Sequence, residues 1–190
     1  YKWLEAACWT LATDEDADLL SKVEIVVNAI ISAQEDDGYL NTFFMFERAS
    51  ERWTDLAVKH ELYCAGHLFQ AAIAHNRATG DDRLIEVSKK FADLIGTVFG
   101  NEEGKRGGTS GHPEIEMALV ELARLTDDKS YTELSGFFLD QRGQGAIGGT
   151  WELQDHLPIR ELDQMAGHAV RMLYLASGMT DWLSETGDDA

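Results

Sequence analysis

The sequence predicts an all-α protein built from helical hairpins that form part of an (α/α)6 toroid, about half of the ring. Apolar residues recur at a spacing close to 3.6 along most of the 190 residues, and no segment shows the alternation of a convincing strand. Two kinds of helix alternate along the chain, and the connections between them are alternately short and long. These features indicate stacked hairpins, each with one buried and one half-exposed helix.

Seven helices are predicted, and they differ in how much of their surface is apolar. We expect them at about 2–12, 16–34, 57–78, 82–98, 113–125, 129–140 and 165–176. The third is apolar or small nearly all round, which is typical of a helix buried on most sides, whereas the fourth has one apolar stripe and one charged face. The first, third, fifth and seventh helices are therefore predicted to be the inner ones.

The connections differ in length according to the helix that they follow. Links from an inner to an outer helix are short and polar: ATDED at 12–16, ATGDD at 78–82, LTDDK at 125–129 and ASGMT at 176–180. Links from an outer to an inner helix are long, at 36–55, 99–111 and 140–163. Because hairpins repeated around an axis place all their long loops at one end, that rim is the predicted functional face.

The number of hairpins predicts an incomplete ring. A six-hairpin ring at a period of about 50 residues needs about 300 residues, and only three hairpins and the opening of a fourth are found. We therefore expect residues 1–190 to form an incomplete barrel domain, truncated at both ends. The alternative architecture is an open solenoid, in which one side of each inner helix would be exposed to water. Because the inner helices are apolar nearly all round, the toroid is favoured. Open edges also predict marginal stability or a homo-oligomer.

The charge of the chain limits the classes of partner. Asp and Glu number 34 against 16 Lys and Arg, a formal net charge of −18, which excludes nucleic acid and anionic membrane as favourable partners. The acidic runs lie at turns and none follows the calcium-loop pattern. No apolar run approaches the roughly 18 residues that span a bilayer. Any targeting segment would precede Tyr1, and a cytoplasmic location is the default expectation.

The two cysteines, Cys8 and Cys64, lie within apolar helical patterns and are predicted to be buried and reduced. Together with His60 and His67, Cys64 shares one helical face, a pattern that raises the question of a metal site. However, HELYC is not the H-E-x-x-H motif and no fourth ligand is evident, so a structural role is favoured. We predict no metal site within this chain.

Three histidines are predicted at the N-termini of inner helices, on the long-loop rim. Pro113 suits the first position of a helix, which would make His112 the cap residue. His60 is expected in the first turn of its helix and His168 early in its own. Because a helix N-terminus disfavours the imidazolium, we expect neutral rings that both donate and accept, as sugars require. Capping by His112 and core positions for the other two are the alternatives.

Other rim residues are weaker candidates for the same site. Aromatic rings and amides that often hold sugars occur in the long loops, at Tyr39, Asn41, Trp53 and Trp151. Anchoring the loops is an equal alternative for them. Three carboxylates raise the possibility of the acid/base pair of a glycosidase: Glu61, Glu114 and Glu116. First-turn carboxylates are also favoured by the helix dipole, so we assign no catalytic residue to them.

Several segments together resemble glycoside hydrolase family 127, the β-L-arabinofuranosidase family: AQEDDGYLNTFF, KHELYCAGHLFQAAIAH, GHPEIEMALVELARLT and AGHAVRMLYLASGMTD. The resemblance runs from end to end and implies the N-terminal half of a catalytic (α/α)6 barrel that β-sandwich domains follow. It implies exo-acting removal of terminal β-L-arabinofuranose from plant-type glycans with retention of configuration. An (α/α)6 enzyme acting on another sugar and a non-catalytic helical-repeat binding protein are the alternatives.

The resemblance also assigns roles to particular residues. The family's sugar-binding histidines correspond to His60 in KHELYCAGH, His112 in GHPEIE and His168 in AGHAVR. Its cysteine nucleophile, glutamate acid/base and zinc ligands belong to later motifs of the barrel, and Cys8 and Cys64 lie in different motifs. We therefore expect zinc in the full-length enzyme, with no ligand from this chain, and we expect the 190 residues alone to be inactive.

Overall fold

The computed structural model describes residues 1–188 and is built from α-helices joined by loops. The seven α-helices are α1 (Lys2–Leu11), α2 (Ala17–Ala33), α3 (Glu61–Thr79), α4 (Arg83–Val98), α5 (Ile115–Thr126), α6 (Lys129–Gln141) and α7 (Ala169–Thr186). The long loops contain short 3-10 segments at Thr42–Phe44, Phe46–Glu51 and Ile159–Glu161. The described residues form no strand, so the all-α prediction is confirmed.

The helices form two layers, an inner row and an outer row. In the inner row α1 packs on α3, α3 on α5 and α5 on α7, while α2, α4 and α6 lie outside. The two predicted kinds of helix are present: α3 buries residues on every side, whereas α4 buries one stripe that includes Leu84, Phe91 and Ile95. The inner helices have their N-termini at one end, and this arrangement is that of a partial helical toroid.

Two inner helices begin later than predicted, which changes the position of the histidines. Helix α3 begins at Glu61, and His60 before it has a left-handed backbone with φ 58°. Helix α5 begins at Ile115 with Glu114 as its N-cap, so Pro113 is not the first helical residue and the prediction that His112 caps the helix is wrong. The reason is local: the Glu114 backbone N–H donates to the side chain of Glu116 at 2.9 Å and its backbone is not helical.

The seventh helix differs most from its prediction. It runs from Ala169 to Thr186, so ASGMT lies inside the helix and the fourth short turn predicted there does not exist. Gly178 has a packing role, because a Cβ there would approach the Cβ of Glu116 on α5 at 2.9 Å. The hydroxyl of Thr180 donates to the carbonyl of Ala176 at 2.8 Å, which lets this polar residue sit in a helix.

Apolar side chains remain exposed at the two ends of the inner row. Trp3 and Trp9 of α1 are 51% and 41% exposed, and Leu173 of α7 is 60% exposed. These surfaces agree with the expectation that part of a ring leaves inner-helix surface uncovered. Within residues 1–188, no helix combines the length and apolar character needed to cross a bilayer.

Candidate functional site

A cluster of aromatic and imidazole rings occupies the rim where the inner helices begin. The ring of His60, just before α3, lies 6.3 Å from that of His112, just before α5. Tyr63, in the first turn of α3, lies between them, with ring centroids 5.6 Å from His60 and 4.4 Å from His112. Two of the three predicted histidines are thus brought together from separate inner helices.

Further residues from α1, α3 and α7 complete this cluster. The ring of His67 lies 4.5 Å from that of Tyr63, and Tyr174 lies 5.2 Å from His112. The Lys2 ammonium donates to the Tyr63 hydroxyl at 2.6 Å. We call the following set the rim cluster: Lys2, His60, Tyr63, His67, His112 and Tyr174. Most of its members are partly exposed, whereas His67 is buried beneath them.

The loops that carry His60 and His112 are joined directly to each other. The backbone N–H of Gly111 donates to the carbonyl of Leu56 at 2.8 Å. A Cβ at Gly111 would overlap the carbonyl of Ala57, so only glycine allows this close approach. The spacing of the two imidazoles is therefore set by contact between the loops as well as by the helices.

The hydrogen bond of His112 identifies its tautomer. Its Nδ1 lies 2.8 Å from the carbonyl oxygen of Pro113, which only accepts, so Nδ1 carries the hydrogen and Nε2 is left as an acceptor. Burial lowers the pKa of His112, and Arg171 and His60 lower it further, although the Pro113 carbonyl raises it. His112 is thus a neutral ring at pH 7 that presents an acceptor nitrogen.

The third predicted histidine is outside the cluster. His168 is the N-cap of α7 and is exposed, and its backbone N–H donates to the Glu152 carbonyl at 3.2 Å. Within residues 1–188 its ring makes no ring contact with the cluster, to which α7 contributes Tyr174 instead. A role of His168 in binding sugar stays a prediction.

Tyr39 and Asn41 hold the first long loop in place. The side chain of Tyr39 is fully buried and its ring packs edge-on against Trp53 at 5.4 Å, and a role of Tyr39 or Asn41 in binding sugar stays a prediction. Asn41 accepts a hydrogen bond from the Phe43 backbone N–H at 3.2 Å and so caps a 3-10 segment. Trp151, by contrast, is 59% exposed.

Two of the three rim carboxylates have structural partners. Glu61 accepts from the Tyr39 hydroxyl at 2.6 Å and from the Trp53 backbone N–H at 2.8 Å, which fastens the first long loop to α3. Glu116 lies 3.3 Å from the guanidinium of Arg142, which is itself fully buried. Neither carboxylate is more than 2% exposed, so they do not form a surface acid/base pair.

The third carboxylate, Glu114, lies directly beneath the rim cluster. It is 1% exposed, and its Oε1 is 3.0 Å from Nδ1 of His67. Among the described residues neither side chain has an aligned hydrogen bond. Burial, with the nearby charge of Glu116, raises the pKa of Glu114 to about 9, and burial lowers the pKa of His67 to about 4. Both groups are therefore uncharged near pH 7.

The two cysteines of the chain do not have the properties of metal ligands. Cys8 is fully buried, and burial raises its pKa to about 11; burial also raises the pKa of Cys64. Over residues 1–188, the only group spaced to hold a metal is at the other end of the helices: Glu24, His75 and Asp81. The guanidinium of Arg83 already pairs with both of those carboxylates, at 2.8 and 2.5 Å.

Sequence reasoning missed four members of the rim cluster. Tyr63 and His67 follow His60 by three and seven residues, so helical periodicity alone places them on one face, toward the rim. Lys2 and Tyr174 come from α1 and α7 and have no comparable local signal. Their positions follow from the packing of the inner helices.

Comparison with known proteins identifies related chains. All of residues 1–190 match the family described as beta-L-arabinofuranosidase, GH127 catalytic domain. The chain is 37% identical, over 205 aligned residues, to a non-reducing end beta-L-arabinofuranosidase of Bifidobacterium longum subsp. longum, and the match covers 94% of the chain and 31% of that relative.

Solved structures of the same family have the same fold. A GH127 beta-L-arabinofuranosidase from Geobacillus stearothermophilus T6 superposes with a TM-score of 0.92 at 42% identity, over 99% of this chain and 32% of that protein. A second GH127 beta-arabinofuranosidase superposes with a TM-score of 0.91 at 36% identity, over 97% of this chain and 30% of that protein. The chain thus spans about a third of the length of these relatives. By the family match over its whole length, the chain belongs to the GH127 β-L-arabinofuranosidase catalytic-domain family.

Proposed function

We propose that the full-length protein carrying this chain is an exo-acting β-L-arabinofuranosidase, and that the rim cluster contributes its sugar-binding groups. It would release terminal β-L-arabinofuranose from plant-type glycans with retention of configuration. The observation that carries the proposal is the meeting of His60 and His112 with Tyr63 on one rim, from consecutive inner helices. Membership of the GH127 family supports the choice of sugar.

The hydrogen-bonding state of the cluster suits a hydroxyl-rich ligand. Nε2 of His112 is an acceptor, because its Nδ1–H is engaged by the Pro113 carbonyl. The Tyr63 oxygen accepts from Lys2, which leaves the phenolic hydrogen free to donate. The cluster therefore offers an acceptor and a donor side by side, and neutral groups exchange hydrogen bonds with sugar hydroxyls without requiring a charged ligand.

The bond-breaking groups are proposed to come from other parts of the full-length protein. A nucleophilic cysteine needs a lowered pKa, whereas both cysteines described here have raised values. The residues of this chain do not fit a zinc site built from cysteines, so we assign the zinc of the enzyme to other residues. The 190-residue chain alone is expected to bind sugar weakly and to hydrolyse nothing.

The activity is tested with the full-length protein and two aryl glycosides, p-nitrophenyl β-L-arabinofuranoside and its α-anomer. We expect turnover of the β-anomer only, and proton NMR of the first product should show the β configuration. Turnover of a different glycoside would favour another (α/α)6 enzyme activity. Binding of L-arabinose without turnover of any glycoside would favour a non-catalytic protein.

The contribution of the rim cluster is tested by His112→Ala. Loss of one hydrogen bond to a buried hydroxyl costs about 1–3 kcal/mol, so we expect KM to rise by roughly 10- to 100-fold. His156→Ala is the matched control, because His156 is exposed in a long loop and is not part of the cluster. An equal effect of both substitutions would contradict the assignment.

A further inference from the structure

The contact between Glu114 and His67 is not used in the function proposed above, although it lies under the rings of the rim cluster that would hold the sugar. The carboxyl group of Glu114 is 1% exposed, and neither oxygen has an aligned hydrogen bond. Burying a polar group in this state lowers the stability of the fold, so such a group calls for an explanation. His67 is buried as well, and both its ring nitrogens lack an aligned partner. Two adjacent buried groups in this state indicate a built feature of the site.

We propose that Glu114 is a positioning residue that acts as a neutral carboxylic acid, donating its proton to Nδ1 of His67. His67 is then held with its hydrogen on Nε2, in contact with Tyr63 and through Tyr63 with His112. The inference rests on the proposed sugar-binding function and deepens it. The two atoms lie 3.0 Å apart but are not aligned, so the proposal includes a small adjustment that completes the hydrogen bond when a ligand binds at the rim.

Distances support a chain of contacts from Glu114 to the sugar-binding rings. Oε1 of Glu114 lies 3.0 Å from Nδ1 of His67. The His67 ring packs edge-on against Tyr63 at 4.5 Å, and Tyr63 lies 4.4 Å from His112. A displacement of His67 would therefore be passed to both rings that face the ligand.

Packing leaves Glu114 little room to move. A Cβ at Gly66 of α3 would come within 2.6 Å of Cγ of Glu114, so the two helices approach closely at this point. The Glu114 backbone N–H is also tied to Glu116. The carboxyl group is wedged between α3 and α5 and can act as a rigid support.

The charges around Glu114 favour its neutral form. The charged and titratable groups that influence it are Lys2 and Glu5 of α1, His67 of α3, Glu116 and Glu121 of α5, and Tyr174 of α7. Lys2, the cation among these groups, donates to Tyr63, and the guanidinium of Arg142 pairs with Glu116. The remaining carboxylates repel a charge on Glu114, in agreement with its pKa of about 9.

The test compares Glu114→Gln with Glu114→Ala in the full-length protein. The charge control is Glu133→Gln, which removes an exposed carboxylate of α6 that is not among the groups acting on Glu114. Glutamine keeps the shape and can still donate to Nδ1, so its KM for the β-L-arabinofuranoside at pH 7 should stay within about threefold of wild type, whereas alanine should raise KM by about tenfold or more with little change in kcat. If glutamine is as damaging as alanine, or alanine is harmless, the proposal fails.

The pH dependence gives a second readout that a merely structural role would not produce. Wild-type affinity for L-arabinose, measured by calorimetry, should fall as the pH rises through about 9, because Glu114 then loses the proton that it donates. Glu114→Gln should lose less affinity over the same range, and Glu133→Gln should follow wild type. Parallel curves for wild type and Glu114→Gln would overturn the proposal.

Infrared spectroscopy separates this proposal from the proposed function, because it needs no substrate. The difference spectrum of wild type minus Glu114→Gln at pH 7 should contain a carboxylic-acid C=O band. Its absence would show that Glu114 is ionised and would contradict the inference even in an active enzyme. Failure of wild type to bind or cleave the arabinofuranoside would instead contradict the proposed function.

Discussion

The two ends of the helices contain the same kind of residue in opposite states. At the end with the short turns, carboxylates are accessible to water and paired: Arg83 binds Glu24 and Asp81, and Arg124 binds Asp181 and Glu185. At the rim with the long loops, carboxylates are buried, each with no more than 2% of its surface exposed: Glu61, Glu114, Glu116 and Asp155. The acidic residues therefore differ in exposure and in partners between the two ends.

The comparison shows that burial and the available hydrogen-bond partners together decide what a carboxylate does. Hydrogen bonds from Arg83 hold the pKa of Asp81 below its usual value, so it stays charged. Desolvation raises the pKa of Glu114, so it stays neutral. Asp155 shows a third outcome, because it organises a loop by accepting from the backbone N–H groups of Ile147 and Gly149 at 2.9 and 2.8 Å.

The largest expected difference between the two ends concerns arginine. Arg142→Ala at the rim should destabilise the protein by about 3–5 kcal/mol, because it leaves Glu116 buried without its cation. Arg83→Ala at the short-turn end should have little effect, because its partners remain hydrated and its own side chain is 42% exposed. Chemical denaturation of both variants measures the difference, and similar losses would contradict the contrast between the ends.

A smaller difference is expected for two glycines. Gly111→Ala should cost about 1–3 kcal/mol, because a Cβ would overlap the carbonyl of Ala57 and push apart the loops that carry His60 and His112. Sugar affinity should fall with it. Gly80→Ala, in the turn after α3, meets no neighbouring atom within 4 Å and should cost about 1 kcal/mol, from its left-handed backbone alone. Calorimetry with L-arabinose should show weakened binding for Gly111→Ala only.

The smallest difference is expected for two tyrosine hydroxyls. Tyr39→Phe removes a donor from the buried Glu61 and should cost about 1–2 kcal/mol, because that carboxylate cannot recruit water. Tyr131→Phe removes a donor from Asp93, which is exposed and can be hydrated instead. Thermal unfolding should therefore show a larger drop for Tyr39→Phe, and equal drops would indicate that burial of Glu61 is unimportant.

Local patterns predicted the helices well where one face repeats and a turn signal follows. The bounds of α1, α2, α4 and α6 agree with the prediction to within one residue at each end. Helix α3 begins four residues later than predicted, because His60 has a left-handed backbone that nothing in the neighbouring sequence indicates. The middle of α7 was misinterpreted, because a glycine that packs against α5 has the same sequence signal as a glycine in a turn.

The candidate site was predicted in part, for a similar reason. His60 and His112 each follow a long loop and precede an inner helix, so the hairpin pattern alone brought them to one rim. Tyr39 has the same kind of position in the sequence but folds into the core. A loop aromatic ring that binds a ligand and one that anchors its loop look identical until the neighbouring atoms are known.

By itself the sequence determined the helical hairpins, the alternation of inner and outer helices, and the rim on which histidines collect, because these depend on periodicity and on the lengths of connections. Tertiary structure decided which side chains meet there. Lys2 of α1 and Tyr174 of α7 contact the rim cluster, whereas Tyr39 is buried in the core. Glu114 is buried against His67. The physical reason is that ring contacts and the pKa values of buried groups depend on neighbours from other helices, and a local pattern carries no information about them.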